Sequence, residues 1–189
     1  MAEFEFSLTA APKLGVDWSK NGNRIVERDD LAVVSIATPL GADAEVAKAL
    51  KSGWKLDYPE PTMSSTDGTV RAIRSGADQM LLLFPHSTPD ANQTVQSKIN
   101  GAGYTTDQTD SWVVLEISGP DTMDALARLC PLDLDENVFP EGSSGRTVME
   151  HMGAFVIRLG PKNFLLMSAS SSAGSFLHAV ETSYLYTIA

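Results

Sequence analysis

The chain has 189 residues and a mass of 20.3 kDa, room for one large domain or two small fused ones. Fourteen Lys and Arg against 24 Asp and Glu leave a net charge of −10, and such a surface, lacking any basic cluster, excludes nucleic acid and anionic membrane as partners. The longest apolar run is about five residues, too short to cross a bilayer, and the acidic start with a single cysteine leads to the expectation of a cytoplasmic chain without a secretory signal or internal disulfide.

In chain order, residues 1–24 form an N-terminal arm in which Phe4, Phe6 and Leu8 alternate with Glu5 and Ser7. A first unit, residues 25–110, opens on an apolar strand through Val33-Val34-Ser35-Ile36-Ala37 and continues into a helix from Asp43 to about Ser52, with Val46 and Leu50 on one face. Trp54 to Gly68 is a Pro-, Ser- and Asp-rich loop. Ile73 to Leu82 is a hairpin turning near Gly76, and a helix follows from about Pro89 to Ile99 with Thr88 as its cap. Tyr104-Thr105-Thr106 completes the unit as a strand.

A second unit, residues 111–189, repeats this order within one compact body. Val114 to Ser118 is its first strand, and Met123, Leu126, Leu129 and Cys130 form the stripe of a helix that Pro131 ends. A loop spans Leu132 to Gly145, a hairpin turns near Gly160, and a helix runs from about Ser171 to Ser183, with Ser170 or Ser171 as cap. Tyr184-Leu185-Tyr186-Thr187-Ile188 is expected as the closing strand. Ile73 to Leu82 aligns with Ile157 to Leu166 at an offset of 84 residues, and five of these ten positions are identical. The expected fold is therefore α+β: two fused ferredoxin-like β-α-β-β-α-β pseudo-repeats with mainly antiparallel sheets.

Chemistry is sparse. Cys130 ends an apolar stripe and reads as a structural thiol. His86, His151 and His178 lack metal-ligand spacing. The acidic run Asp133 to Glu136 lacks the glycine of a calcium loop. No phosphate-binding, nucleophile-elbow or zinc-protease motif occurs, so no catalytic, cofactor-binding or metal-binding residue is assigned. Strand alternation from Arg146 to His151 places Thr147, Met149 and His151 on one face and Arg146, Val148 and Glu150 on the other, with Arg146 and Glu150 as an ordering pair. The aromatic termini are unusual: Phe4, Phe6, Tyr184 and Tyr186 are either edge-strand residues or anchors that dock on another protein.

Read in order, Thr109-Asp110-Ser111-Trp112, Ile117-Ser118-Gly119-Pro120, Arg128-Leu129-Cys130-Pro131-Leu132-Asp133-Leu134, Phe139-Pro140-Glu141-Gly142 and Arg146-Thr147-Val148-Met149-Glu150-His151-Met152-Gly153 resemble the gamma-subunit family of heterotetrameric sarcosine oxidases. The resemblance implies a complex that oxidatively demethylates sarcosine to glycine, with tetrahydrofolate as one-carbon acceptor and hydrogen peroxide as product. It implies alpha, beta and delta partner subunits that carry FAD, FMN, NAD and zinc, and none of these on this chain. It also implies a fold similar to the folate-binding domain of the glycine-cleavage T protein. Asp110, Trp112, Arg146, Glu150 and His151 match the family pattern and are taken as structural or interfacial. Two alternatives stand beside this reading: a subunit of a related complex that demethylates another N-methyl amine, of the dimethylglycine type, or a folate-binding module in its own right.

Overall fold

Among the described residues, alternation and turn chemistry resolve into eleven short strands and four helices. The computed structural model describes residues 12–87 and 89–188, so Phe4, Phe6, Leu8 and the predicted cap Thr88 lie outside the described residues. A hairpin, β1 (Asp17–Lys20) and β2 (Asn23–Glu27), is followed by β3 (Leu31–Ala37), α1 (Asp43–Trp54), the two-residue β4 (Ser65–Thr66), β5 (Arg71–Arg74), β6 (Gln79–Pro85), α2 (Ala91–Ile99) and β7 (Tyr104–Asp107). The second half supplies β8 (Trp112–Ser118), α3 (Thr122–Leu129), β9 (Ser144–Met149), β10 (Met152–Gly160), β11 (Asn163–Ala169) and α4 (Ala173–Thr187).

The strands form two antiparallel sheets, ordered β4-β5-β6-β3-β7 and β1-β2-β8-β11-β10-β9. The expected α+β class and its repeated units are present. In the first sheet the order β5-β6-β3-β7 is the ferredoxin-like arrangement, with β4 added at one edge. β9 is the counterpart of β4, and β8, β10 and β11 are the counterparts of β3, β5 and β6.

Why β6 is apolar at both parities follows from the layering. Leu31, Val33, Ile73, Leu81 and Leu83 pack directly on Val114, Phe155, Ile157, Leu165 and Met167 of the other sheet. The alternate residues, among them Val34, Met80 and Leu82, face Val46, Leu50 and Val95 of α1 and α2. In the second half, Leu115, Val156 and Leu166 face Leu126, Phe176 and Val180 of α3 and α4. The layers therefore run helix, sheet, sheet, helix. A strand buried on both faces loses the polar alternation of a half-solvated one.

The two loops expected at equivalent places meet. Met63 bridges Ser143, Ser64 N–H donates to Gly142 O at 2.7 Å, and Ser144 N–H donates to Thr62 O at 2.9 Å. Pairing one loop antiparallel to its own counterpart ties the pseudo-repeats together at their shared junction.

Four expectations are corrected. Tyr184–Ile188 is not a strand: α4 runs to Thr187, and the place beside β8 is taken by β2, from Arg24↔Ser118 to Glu27↔Leu115. Residues 25–27 therefore belong to the second half's sheet, and Trp18 of β1 packs 5.8 Å from the Tyr184 ring. The predicted serine cap is absent: Ser170–Ser172 forms a 3-10 turn, and the Ser172 hydroxyl donates back to Ala169 O at 3.0 Å. The alternation from Arg146 stops at Met149, because Glu150 and His151 form a two-residue turn with φ of 46° and 70°.

Candidate functional site

Helix α4 turns Phe176, Val180 and Tyr184 into the core at four-residue spacing. Its flanking stripe carries Ser175, Ala179 and Thr182, side chains too small to reach the neighbouring elements. The space left between α4, the end of α3 and the β9–β10 turn is a cavity of about 600 Å³, within the size range of small-molecule sites. Arg128 and Leu129 enter it from α3, Glu150 and Met152 from the turn, and His178 and Tyr186 from α4.

Each charged group here is held in a distinctive way. The Arg128 guanidinium lies 5.1 Å from the centre of the Tyr186 ring and makes no hydrogen bond or ion pair among the described residues. Glu150 and His151 occupy left-handed backbone at the hairpin tip, flanked by the Met149↔Met152 pair. Such turns favour Asn-Gly, and a non-glycine residue held there costs on the order of 1–3 kcal/mol. The sequence accepts that strain at both positions.

A second cluster lies next to the first, and Ser172 lines both. Trp112 meets Phe155 edge-on with ring centres 5.5 Å apart, and the Arg146 guanidinium sits 5.8 Å from the same ring. With Ser168 they border a cavity of about 190 Å³. Trp112 Nε1 donates to Gln108 Oε1 at 3.1 Å, which fixes the indole. Asp110 is exposed, 3.9 Å from Lys13 Nζ.

The predicted residues thus separate into groups. Trp112 and Arg146 converge on Phe155, while Glu150 and Tyr186 share the larger cavity. His151 is exposed in the turn beside Glu150 and does not line that cavity. Tyr184 is fully buried, its hydroxyl 2.7 Å from Thr122 Oγ1. Arg146 and Glu150 form no ion pair among the described residues, since the turn carries Glu150 out of the strand's alternation. Cys130 is buried, and burial pushes its thiol above the ordinary value. Among the described residues no group of three His, Cys, Asp or Glu could hold a metal, and no helix is long and apolar enough to cross a membrane. Arg128 was missed by sequence reasoning although it opens the Arg128-Leu129-Cys130-Pro131 run. Its signal was its place in the last turn of a helix whose stripe it does not join.

No protein-family model and no curated protein matches the chain. The solved structures define a fold: the glycine cleavage system aminomethyltransferase T of Bartonella henselae aligns over 84% of this chain and 45% of its own, with TM-score 0.61 and 12% identity. A chain of the heterotetrameric sarcosine oxidase from Corynebacterium sp. U-96, solved in complex with pyrrole 2-carboxylate, aligns over 96% of this chain and 93% of its own. Its TM-score is 0.78 at 19% identity. At these identities the likeness is one of fold.

Proposed function

We propose that this chain is a non-catalytic gamma-type subunit of a cytoplasmic, flavin-dependent heterotetrameric sarcosine oxidase. In this reading the complex oxidises sarcosine, yields glycine and hydrogen peroxide, and passes the one-carbon unit to tetrahydrofolate. Alpha, beta and delta partners hold FAD, FMN, NAD and zinc. This chain contributes surface and rigidity: the face-to-face sheets fix its shape, and side chains such as Tyr104 (73% exposed), Val138 (62%), Val148 (54%) and Tyr186 (67%) offer apolar contact to neighbours.

The observation that carries the proposal is the mutual coverage with the Corynebacterium chain, 96% and 93% at TM-score 0.78. The match spans nearly all of both chains, whereas in the T protein the same fold is under half of a longer one. The ordered run of family-like segments from Thr109 to Gly153 points the same way.

The test is purification from native cells through a tag on this chain. A flavin-coloured complex with three further polypeptides and sarcosine-dependent peroxide release is expected. A colourless protein alone would overturn the reading. If dimethylglycine is turned over in preference to sarcosine, the complex is of the related N-methyl amine type. Micromolar binding of tetrahydrofolate to the isolated chain, measured by calorimetry, would replace the scaffold role with that of a folate-binding module.

A further inference from the structure

We propose that the cavity beside α4 binds an amino-acid-type zwitterion, with Arg128 holding its carboxylate and Glu150 its ammonium group. The inference stands on this chain's own side chains and is independent of the subunit reading.

Arg128 is set up as a receptor. Its guanidinium carbon lies 5.1 Å from the centre of the Tyr186 ring, and with no hydrogen bond or ion pair among the described residues its N–H groups are available to grip a carboxylate with two parallel hydrogen bonds. Of the seven arginines, only Arg128 and Arg146 make no hydrogen bond or ion pair among the described residues; Arg71 donates to Ser64 Oγ and Arg74 to the carbonyls of Gly76 and Ala77. Arg24 is bound to Asp17, Arg28 to Asp30 and Glu116, and Arg158 to backbone carbonyls. Arg146 also lacks a carboxylate partner, but its cavity of about 190 Å³ contains no acidic side chain.

Glu150 supplies the opposite charge. It lines the same cavity as Arg128, yet the two make no ion pair among the described residues, so they face a common space without closing on each other. Its left-handed backbone, φ 46°, is a strained conformation of the kind that persists at ligand sites. The hydroxyls of Ser175 and Thr182 and the imidazole of His178 line the space with them, and Leu129 and Met152 give it an apolar wall. Opposite charges at separate points, hydroxyls and an apolar wall in about 600 Å³ suit a zwitterion with an apolar or aromatic body.

The test uses three probes on the full chain by titration calorimetry: L-phenylalanine, 3-phenylpropionate (no ammonium) and 2-phenylethylamine (no carboxylate). L-Phenylalanine is expected to bind at least about tenfold more tightly than either fragment. Arg128→Gln should bring it down to the level of phenylethylamine, and Glu150→Gln to that of phenylpropionate, with the thermal midpoint unchanged because both side chains are exposed. Equal binding of all three probes, no binding at millimolar concentration, or wild-type affinity in both variants would overturn the proposal. Binding of phenylpropionate as tight as that of L-phenylalanine would also overturn it, reducing the cavity to a simple anion site.

Discussion

Arg74 and Arg158 stand at equivalent positions in the two hairpins, but Arg158 is only 2% exposed while Arg74 is half-buried at the surface. Arg158 donates to Phe139 O at 2.9 Å, Leu134 O at 3.2 Å and Pro161 O at 3.4 Å, and its guanidinium lies 5.0 Å from the Phe164 ring. Arg74 donates to the carbonyls of Gly76 and Ala77 in its own turn and stacks on Tyr58 at 5.0 Å. One arginine pins a distant loop and the other a local turn.

Removing the two should therefore have unequal effects. Arg158→Ala strands carbonyls that the fold has already taken from water, each worth about 1–3 kcal/mol when left unpaired, and a net loss of about 3 kcal/mol is expected. Arg74→Ala leaves carbonyls that water can reach and should cost less than about 1 kcal/mol. Urea denaturation measures both, and hydrogen exchange should speed up through residues 132–142 only in the Arg158 variant. Equal losses would remove the distinction.

Tyr184 predicts a pH dependence. Burial pushes its phenol up to about 12 from an ordinary value near 10, against the lowering effect of its bond to Thr122. Below pH 10 both folded and unfolded chains keep the proton. Between about 10 and 12 the unfolded chain releases it first, so this residue's contribution to stability falls as pH rises. Tyr184→Phe should lose about 1 kcal/mol at neutral pH, since the buried Thr122 hydroxyl is stranded, and should show a shallower decline above pH 10. Stability curves from pH 8 to 11 for both proteins would expose an unchanged slope.

The doubled α+β order was legible because each half writes the same local grammar: apolar strand, striped helix, hairpin turning at Gly76 or Gly160, second helix. The place of β2 was not, because a strand's partner lies far along the chain and nothing in Asn23–Glu27 names Trp112–Ser118. Tyr184–Ile188 misled through its aromatic and β-branched content, although the spacing of Phe176, Val180 and Tyr184 already continued the helix. Glu150-His151 carries none of the Asn-Gly chemistry that announces such a turn. The cavity depends on Arg128, Glu150 and His178 arriving from three separate elements. Only the small side chains at Ser175, Ala179 and Thr182 hinted that α4 would leave space beside it.

Gly119 is fixed by close approach. It has φ 133°, and a Cβ there would lie 2.5 Å from Asn23 Cα and 2.7 Å from Gly22 O, with Asn23 Oδ1 also in contact. Asn23 is fully buried and bonds Asp121 twice, from Nδ2 to Oδ2 at 2.7 Å and from the Asp121 N–H to its Oδ1 at 3.0 Å. Gly119→Ala must move the β1–β2 turn and break that pair, at a cost of about 3 kcal/mol. Gly174, in the first turn of α4 with open space around it, is the contrast: Gly174→Ala should stabilise by up to about 1 kcal/mol. Thermal melts of the two variants moving in the same direction would contradict this account.

Glu27 anchors the entry to the fold. Its carboxylate, 7% exposed, accepts three backbone N–H groups: Lys13 at 2.8 Å, Leu14 at 2.9 Å and Gly15 at 2.7 Å. Glu27 N–H in turn donates to Val16 O at 2.9 Å, so one residue of β2 holds the preceding segment through both side chain and backbone. The charge lets a single group satisfy three donors, and hydrogen bonds to a charged acceptor are worth about 1.5–3 kcal/mol each before the cost of burying it. Glu27→Ala should lower stability by about 2 kcal/mol and release the amides of Lys13, Leu14 and Gly15 to fast hydrogen exchange. Glu27→Gln keeps the shape and one acceptor oxygen but turns an amide toward the N–H donors, so it should recover less than half of the loss. A glutamine variant as protected and as stable as the wild type would mean that packing, and not the three charge-assisted bonds, holds the segment in place.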